Sequence, residues 1–337
     1  DADVLVVAAP KNLEEKHLFA IDQFLMQGGT VIMASSPFSA NLTSRSLSMD
    51  KRASGLNDWL AHKGIRLDDN LVLDKQNVPF PLPVQRNMGG FSVQEVRMLD
   101  YPYFLDVRGE GLNADSPITG ALPQLTMAWA APIILDTQKH QGLKITELMR
   151  SSEQSWLSNS TAVLPELNGN SLSAFTPSGE QKSHLLGLMA QGKFNSYFAG
   201  KPSPLAPAAD NNSETKNTYG SVIEHSPESA RLIVLSSNDF LSDAVISMAG
   251  AATGGRDLNA LQMLANAVDY AVDDAALVSI RARGNFNRTL PAMEPSTQAF
   301  WEYLNYALAL AAIVLIGAAQ YRIRRLREQN YQVWMAH

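Results

Sequence analysis

Apolar and polar residues fall in blocks along this chain, and the first block is an uninterrupted apolar run, Val4 to Ala9, between Asp3 and Pro10-Lys11. A run of that length reads as a strand buried on both faces. Asn12 then offers an N-cap with Glu15 three residues on, the spacing of a capping box, so a helix is expected to start there. Leu18, Ile21 and Leu25, with Phe24 beside them, recur at helical spacing, and Gly28-Gly29 supplies the left-handed stop that residues with a Cβ resist. Thr30 to Ala34 is the next strand. Strand, helix and strand together span about thirty residues, the length of a right-handed βαβ crossover.

Beyond this unit the pattern is less regular. Gly55 to His62 reads as helical, Leu71 to Leu73 as a short strand, and the stretch around Pro79, Pro81 and Pro83 as extended or irregular. Val96 to Leu99 and Leu125 to Trp129 are strand candidates that predict a β-rich elaboration, and His184 to Met189 is another, followed by a Gly192-Lys193 turn. Positions 199–220 carry few apolar side chains to offset the entropy of ordering, which predicts an exposed loop. Arg231 to Leu235 is a buried strand ending in Ser236-Ser237-Asn238-Asp239. Asp257 to Ala271 reads as an amphipathic helix with Leu258, Leu261, Leu264, Ala265 and Val268 on one face, and Leu277 to Arg281 as a final short strand. The alternation predicts an α/β fold: a mainly parallel sheet flanked by helices, with the β-rich elaboration and one C-terminal transmembrane helix.

That helix is read from nineteen consecutive uncharged residues, Tyr303 to Tyr321, which span roughly 28 Å as a helix, close to the hydrocarbon thickness of a bilayer. Phe300, Trp301, Tyr303 and Tyr306 sit at one end, and Tyr321, Tyr331 and Trp334 at or beyond the other, as expected of rings that prefer the interface. Arg322, Arg324, Arg325 and Arg327 follow the span at once, whereas Glu294 and Glu302 precede it, so the positive-inside rule puts the C-terminus in the cytoplasm. The expected organisation is an extracytoplasmic α/β domain over 1–285, a connector over 286–302, a span over 303–321 and a basic cytoplasmic tail over 322–337. Ala307, Ala311, Gly317 and Ala318 are small enough to let another helix approach closely. The chain opens from Asp1 straight into its first strand, so upstream residues, including a first membrane segment, are expected.

Composition narrows the chemistry. With 45% hydrophobic and 18% charged residues the chain can bury a sizeable core, and its net charge of -6 argues against a nucleic-acid partner. The absence of cysteine excludes disulfides, thiolate nucleophiles and cysteine metal sites. The six histidines, at 17, 62, 140, 184, 225 and 337, are scattered without an H-x-H or H-E-x-x-H pattern, so no metal site is expected. There is no G-x-S-x-G elbow and no phosphate-binding P-loop, so neither an α/β hydrolase nor ATP hydrolysis by this chain is supported, and no cofactor is expected.

Ligands in open α/β sheets bind beyond the carboxyl ends of strands, which singles out Ser35, Ser36, Ser237, Asn238 and Asp239. Their groups can hold a sugar or a peptide, although the same residue types also cap helices and form turns. Trp59, Trp129 and Trp156 are aromatics able to stack on a pyranose, the basis of an alternative reading as a membrane-tethered carbohydrate-binding module; core packing explains them equally well. A third reading, an anchored hydrolase, uses Ser36 or Ser237 with His184 or His225. Asp273-Asp274 reads as a solvated turn, and Arg281, Arg283 and Arg288 as surface residues or contacts to phospholipid headgroups or an acidic partner.

The opening Asp3 to Lys11, the helix ending Ala20 to Gly29 and the strand after it resemble the gliding-motility GldG family of ABC-transporter auxiliary proteins. A second block, Ala230 to Leu241, then Asn266 to Tyr270 and Leu277 to Arg281, looks like that family's C-terminal block, and a membrane helix with a basic segment completes the likeness. The resemblance implies a large extracytoplasmic domain with a fold similar to type I glutamine amidotransferases, or flavodoxin-like, and to a domain of intraflagellar-transport proteins. It also implies a bacterial inner-membrane location, with an ABC permease, an ATPase and membrane lipids as partners and a substrate, periplasmic protein or glycan as the domain's ligand. No catalysis carries over, because the amidotransferase nucleophile is a cysteine.

Overall fold

Val4–Ala8 forms strand β1 and pairs in parallel with β2, Thr30–Ala34, in register from Val4 opposite Thr30 to Ala8 opposite Ala34. The computed structural model from which this follows describes residues 2–42, 47–88, 91–136, 138–139, 142–165, 175–205, 221–253, 257–272 and 295–335. The expected strand at Leu277 to Arg281, the Asp273-Asp274 pair, Arg281, Arg283, Arg288 and the loop positions 206–220 lie outside the described residues.

Helix α1, Glu15–Met26, joins the two strands, but its cap is not Asn12. Glu14 is the N-cap: its carboxylate accepts the backbone N–H of His17, and His17 Nδ1 accepts the N–H of Glu14 at 3.1 Å. A histidine thus fills the role that the expected capping box gives to a carboxylate. Asn12 sits instead at φ 48, a left-handed position that asparagine tolerates, and donates its N–H to Ala53 O at 2.9 Å. The other end follows expectation, with Gly28 at φ 95 closing the helix.

After β2 the chain forms β3 (Phe38–Leu42), β4 (Leu47–Lys51), α2 (Asn57–His62), β5 (Ile65–Leu67), β6 (Leu71–Leu73), β7 (Phe80–Met88), β8 (Phe91–Leu99), β9 (Phe104–Arg108) and β10 (Gln124–Ala128). It continues through β11 (Ile133–Leu135), β12 (Lys144–Arg150), β13 (Trp156–Ser158), β14 (Leu185–Gln191), β15 (Arg231–Leu235), α3 (Asp243–Thr253), α4 (Asn259–Val272) and α5 (Pro295–Met335).

The pairing corrects the expected fold class. One five-stranded sheet has the order β1-β2-β15-β14-β12, parallel across β1, β2 and β15 and antiparallel across β15, β14 and β12. The remaining strands form two-stranded antiparallel sheets, β3-β4, β5-β11, β6-β13, β7-β8 and β9-β10. The architecture is therefore a mixed sheet with small antiparallel ribbons and few helices, not a mainly parallel sheet flanked by helices of amidotransferase or flavodoxin type. Strand direction explains the miss. A parallel pair needs a long crossover, whereas links as short as those of β3-β4 and β7-β8 allow only antiparallel return.

One further expectation changes, and the extended reading of the proline-rich stretch holds. β1 is an edge strand, so Val6 is 42% exposed, and the strand wholly buried on both faces is β2. The proline-rich stretch lies within β7, where Pro81 faces Met98 and Pro83 faces Val96. Being two residues apart, both prolines can turn their missing donor away from β8, the condition for proline in a strand.

The central strands alternate their side chains between two cores, as a period of two requires. Ile32, Ala34, Ile233 and Leu235 face a cluster with β9, β10 and α4, while Val31, Met33, Leu232 and Val234 face Ile21, Leu25 and Trp59. Each such burial of a Val, Leu, Ile or Met side chain contributes about 1.5–3 kcal/mol. A third, aromatic cluster joins the ribbons through Phe38, Tyr101, Tyr103, Phe104, Trp129 and Trp156. Helix α4 buries Ala260, Met263 and Ala267, with Leu264 and Val268 half-buried, whereas Leu261 on the helix and Leu258 just before it, both expected in the core, are exposed. The two alanines allow close approach to the sheet residues, and that rotates the buried stripe from its expected position.

The chain divides into two compact units, Asp1–Asn287 and Arg288–His337, and the second contains α5.

Candidate functional site

β2 and β15 end side by side, Ala34 opposite Leu235, which brings all five sequence-predicted ligand residues together at the strand ends. Asn238 is the link between them. Its Oδ1 accepts the N–H of Ser36 at 3.2 Å, and its Nδ2 donates to the carbonyls of Ser36, at 2.8 Å, and Phe38. Ser36 Oγ accepts the N–H of Phe38, Ser237 Oγ donates to Ala128 O, and the Asp239 carboxylate accepts the N–H of Ala40 at 3.0 Å. Burial pushes the Asp239 carboxyl above its usual range, against the pull of the Ala40 N–H and the Arg52 charge.

These groups are spent largely on the protein's own backbone. Ser35, Ser36 and Ser237 are buried, and Asn238 nearly so. Among the described residues, the hydroxyls of Ser35 and of its cross-strand neighbour Ser236 are buried without a hydrogen-bond partner. The arrangement latches the turn after β2 to the turn after β15, joining positions about two hundred apart in sequence.

Sequence reasoning missed the most enclosed charges. Asp22 on α1 meets Lys63 Nζ at 3.0 Å, with side-chain exposures of 0% and 2%. Asp22 also accepts from Trp59 Nε1 at 2.8 Å, from the N–H of Tyr197 at 3.2 Å and from Ser196 Oγ, while Lys63 donates to Asn195 O. Burial raises the Asp22 carboxyl, but Lys63 and these donors outweigh it and hold Asp22 below its ordinary value. One signal was available: Asp22 lies four residues after Leu18 and three before Leu25, on the helix face that the apolar residues define.

Trp59, Trp129 and Trp156 are all buried in the core, and Trp129 Nε1 donates to Tyr101 OH at 3.1 Å. None presents a face to a sugar. Among the described residues neither His184 nor His225 hydrogen-bonds Ser36 or Ser237: the backbone N–H of His184 donates to Ser151 Oγ, and His225 Nδ1 meets Asn195 Oδ1.

Helix α5 differs from every other element in what it exposes. Its stretch Ala299–Arg325 is long and apolar enough to cross a membrane, and none of it is buried among the described residues. Leu308, Leu310, Ile313, Val314, Leu315 and Ile316 are each between 60% and 70% exposed. Leaving six such side chains in water costs on the order of 10 kcal/mol, so lipid or another apolar surface must cover them. Ala307, Ala311 and Ala318 fall within about 40° of one another around the helix, with Gly317 about 80° away. Arg322, Arg324 and Arg325 follow on the same helix, with the Arg325 guanidinium 5.4 Å from the Tyr321 ring centroid.

Comparison with known proteins adds the context that the geometry lacks. Residues 1–273 match a family of ABC-transport auxiliary proteins described as "ABC-type uncharacterized transport system". An "Uncharacterized protein" of Borreliella burgdorferi is 26% identical over 201 residues, covering 59% of this chain. The match spans 37% of that relative's length. No solved structure matches the chain.

Proposed function

This chain belongs to the family of auxiliary proteins of ABC-type transport systems, and on that footing we propose that it is a non-enzymatic accessory subunit of such a transporter, anchored in the bacterial inner membrane by α5. In this reading the large domain faces the periplasm, where it binds a substrate or a periplasmic partner, and the arginines after the span lie in the cytoplasm. The small-residue face of Ala307, Ala311 and Ala318, with Gly317 to one side, packs on the permease, and the separate ATPase subunit supplies the energy. The apolar surface of α5 carries the proposal, because none of its apolar stretch is buried among the described residues.

The blocks Asp3 to Gly29 and Ala230 to Arg281 support a place beside the gliding-motility GldG members of the family. Ser35, Ser36, Ser237, Asn238 and Asp239 set the shape of the strand ends that a partner meets; their inward hydrogen bonds favour this over direct grip on a ligand. The absence of any hydrogen bond from His184 or His225 to these serines, among the described residues, supports a binding role over a hydrolytic one.

Affinity purification of the tagged full chain under gentle detergent extraction tests the reading. An ABC ATPase and a permease should copurify and be identified by mass spectrometry. Recovery of the chain free of both would remove the accessory-subunit assignment.

A further inference from the structure

The β7-β8 ribbon has nine residues in each strand and belongs to no larger sheet among the described residues. Phe80 roots it in the aromatic cluster, with Leu99 buried opposite, and β7 lies against α3. β8 has the contrary setting. Ser92 to Met98 are all exposed, with Val93, Val96 and Met98 at 49%, 62% and 38%. A ribbon of two strands is only marginally stable in water, and a long edge strand with exposed apolar side chains is a template for another strand.

The prolines decide which edge is open. Pro81 faces Met98 and Pro83 faces Val96. Proline has no N–H to exchange, so these are non-hydrogen-bonded pairs, in which the backbone groups of both residues point away from the other strand. On β7 the outward edge therefore lacks a donor at positions 81 and 83 and resists a further strand. On β8 the same geometry turns the N–H and carbonyl groups of Gln94, Val96 and Met98 outward. Among the described residues none of these groups has a hydrogen-bond partner. The ribbon is closed on one edge and open on the other.

The sequence of β8 fits its own copy. Two antiparallel β8 strands joined by their open edges are related by a two-fold axis, and the position of that axis fixes which residues meet. With Val96 opposite the partner's Val96, Gln94 lies opposite the partner's Met98 and Glu95 opposite the partner's Arg97, each contact occurring twice. Glu95 and Arg97 then form non-hydrogen-bonded pairs, whose side chains come closest, and opposite charges there stabilise the pairing. Moving the axis by one residue sets Glu95 against the partner's Glu95 or Arg97 against the partner's Arg97, which like-charge repulsion disfavours. The charges select one register.

We infer that the domain pairs with a second copy of itself through β8, the two ribbons forming one antiparallel sheet centred on Val96 with Glu95 of each chain against the partner's Arg97. Val96 of each chain covers the partner's Val96 on the face that Pro81, Pro83 and Met98 share. The pairing rests on the ribbon alone and is independent of the transporter assignment and of the membrane topology proposed above.

The assembly also closes. Its strand order is β7-β8 followed by the partner's β8 and β7, so both outer edges are the proline-bearing strands. A proline edge stops further addition, and an isologous contact uses the same surface on both chains, so growth ends at two copies rather than in a fibre.

Single cysteines test the contact, since the chain has none of its own. Val96→Cys and Val93→Cys alter exposed positions of one strand, but only the first meets its own copy in this register, at a Cα separation of about 5.5 Å that suits a disulfide. In the full chain purified in mild detergent, copper phenanthroline should link Val96→Cys into a dimer about tenfold more than Val93→Cys. In the Val96→Cys background, Glu95→Arg should cut the linked fraction about tenfold by setting like charges opposite, and adding Arg97→Glu should restore it. Both charged side chains are exposed, so the thermal midpoints should match the parent and separate lost pairing from lost folding. No dimer from Val96→Cys would overturn the inference and leave the edge to a different protein. Equal linking of Val93→Cys, or a charge exchange that fails to restore linking, would overturn it as well.

Discussion

Asp22 and Lys63 form an ion pair at 3.0 Å that is almost wholly withdrawn from water and that ties α1 to the end of α2. Removing one partner leaves the other charge buried, so Lys63→Met should cost about 3–5 kcal/mol of stability. Replacing both, as in Asp22→Leu with Lys63→Met, should recover part of that loss. Urea unfolding followed by tryptophan fluorescence would measure both, and equal losses in the single and double variants would count against this account.

Protonation gives a second expectation. His184 and His62 both have pKa values held below the ordinary 6.5, in each case chiefly by burial. A folded state that resists protonation keeps its stability above the unfolded value and loses it as pH falls through 6.5 toward the lower folded values. His184→Asn should therefore flatten the decline in thermal midpoint below that pH relative to the parent. Asp74 acts in the opposite sense. Burial raises its pKa above 3.8, so as pH falls toward 3.8 the folded form takes up its proton first and gains stability.

Asn238→Ala should destabilise the domain by about 2–4 kcal/mol, because it strands the N–H and carbonyl of Ser36 and the carbonyl of Phe38. Differential scanning calorimetry would show the loss. A variant as stable as the parent would free Asn238 for a direct role in binding.

Bulky replacements at Ala307, Ala311, Gly317 and Ala318 should weaken association with the permease while leaving insertion intact, since leucine suits lipid but blocks close helix contact. Carbonate extraction would score insertion and copurification would score association. Unchanged association would reduce α5 to a tether.

Much of the first unit was legible because local signals decided it: Leu18, Ile21 and Leu25 mark α1, and Gly28 marks its end. Its cap was misplaced because Glu14 and His17 substitute for the residue types usual in a capping box. The sheet was misread because the apolar run Val4 to Ala8 looks the same at an edge as in a centre, and no local pattern states strand direction. The strand-end residues were singled out by their types and places, yet nothing in those types revealed that the two ends would meet or that Asn238 would turn its amide inward. Asp22 and Lys63 meet only through the packing of α1 against the end of α2, and no local pattern in the sequence pairs positions so far apart.

The central claim is that α5 crosses the membrane with the large domain on the far side from the arginines. The chain has no cysteine, so a single cysteine placed by Glu224→Cys or by Gln329→Cys is a unique reporter. Labelling of intact spheroplasts with a membrane-impermeant maleimide should modify the Glu224→Cys chain and spare the Gln329→Cys chain until the membrane is permeabilised. The reverse pattern, or equal labelling of both in intact spheroplasts, would contradict the account.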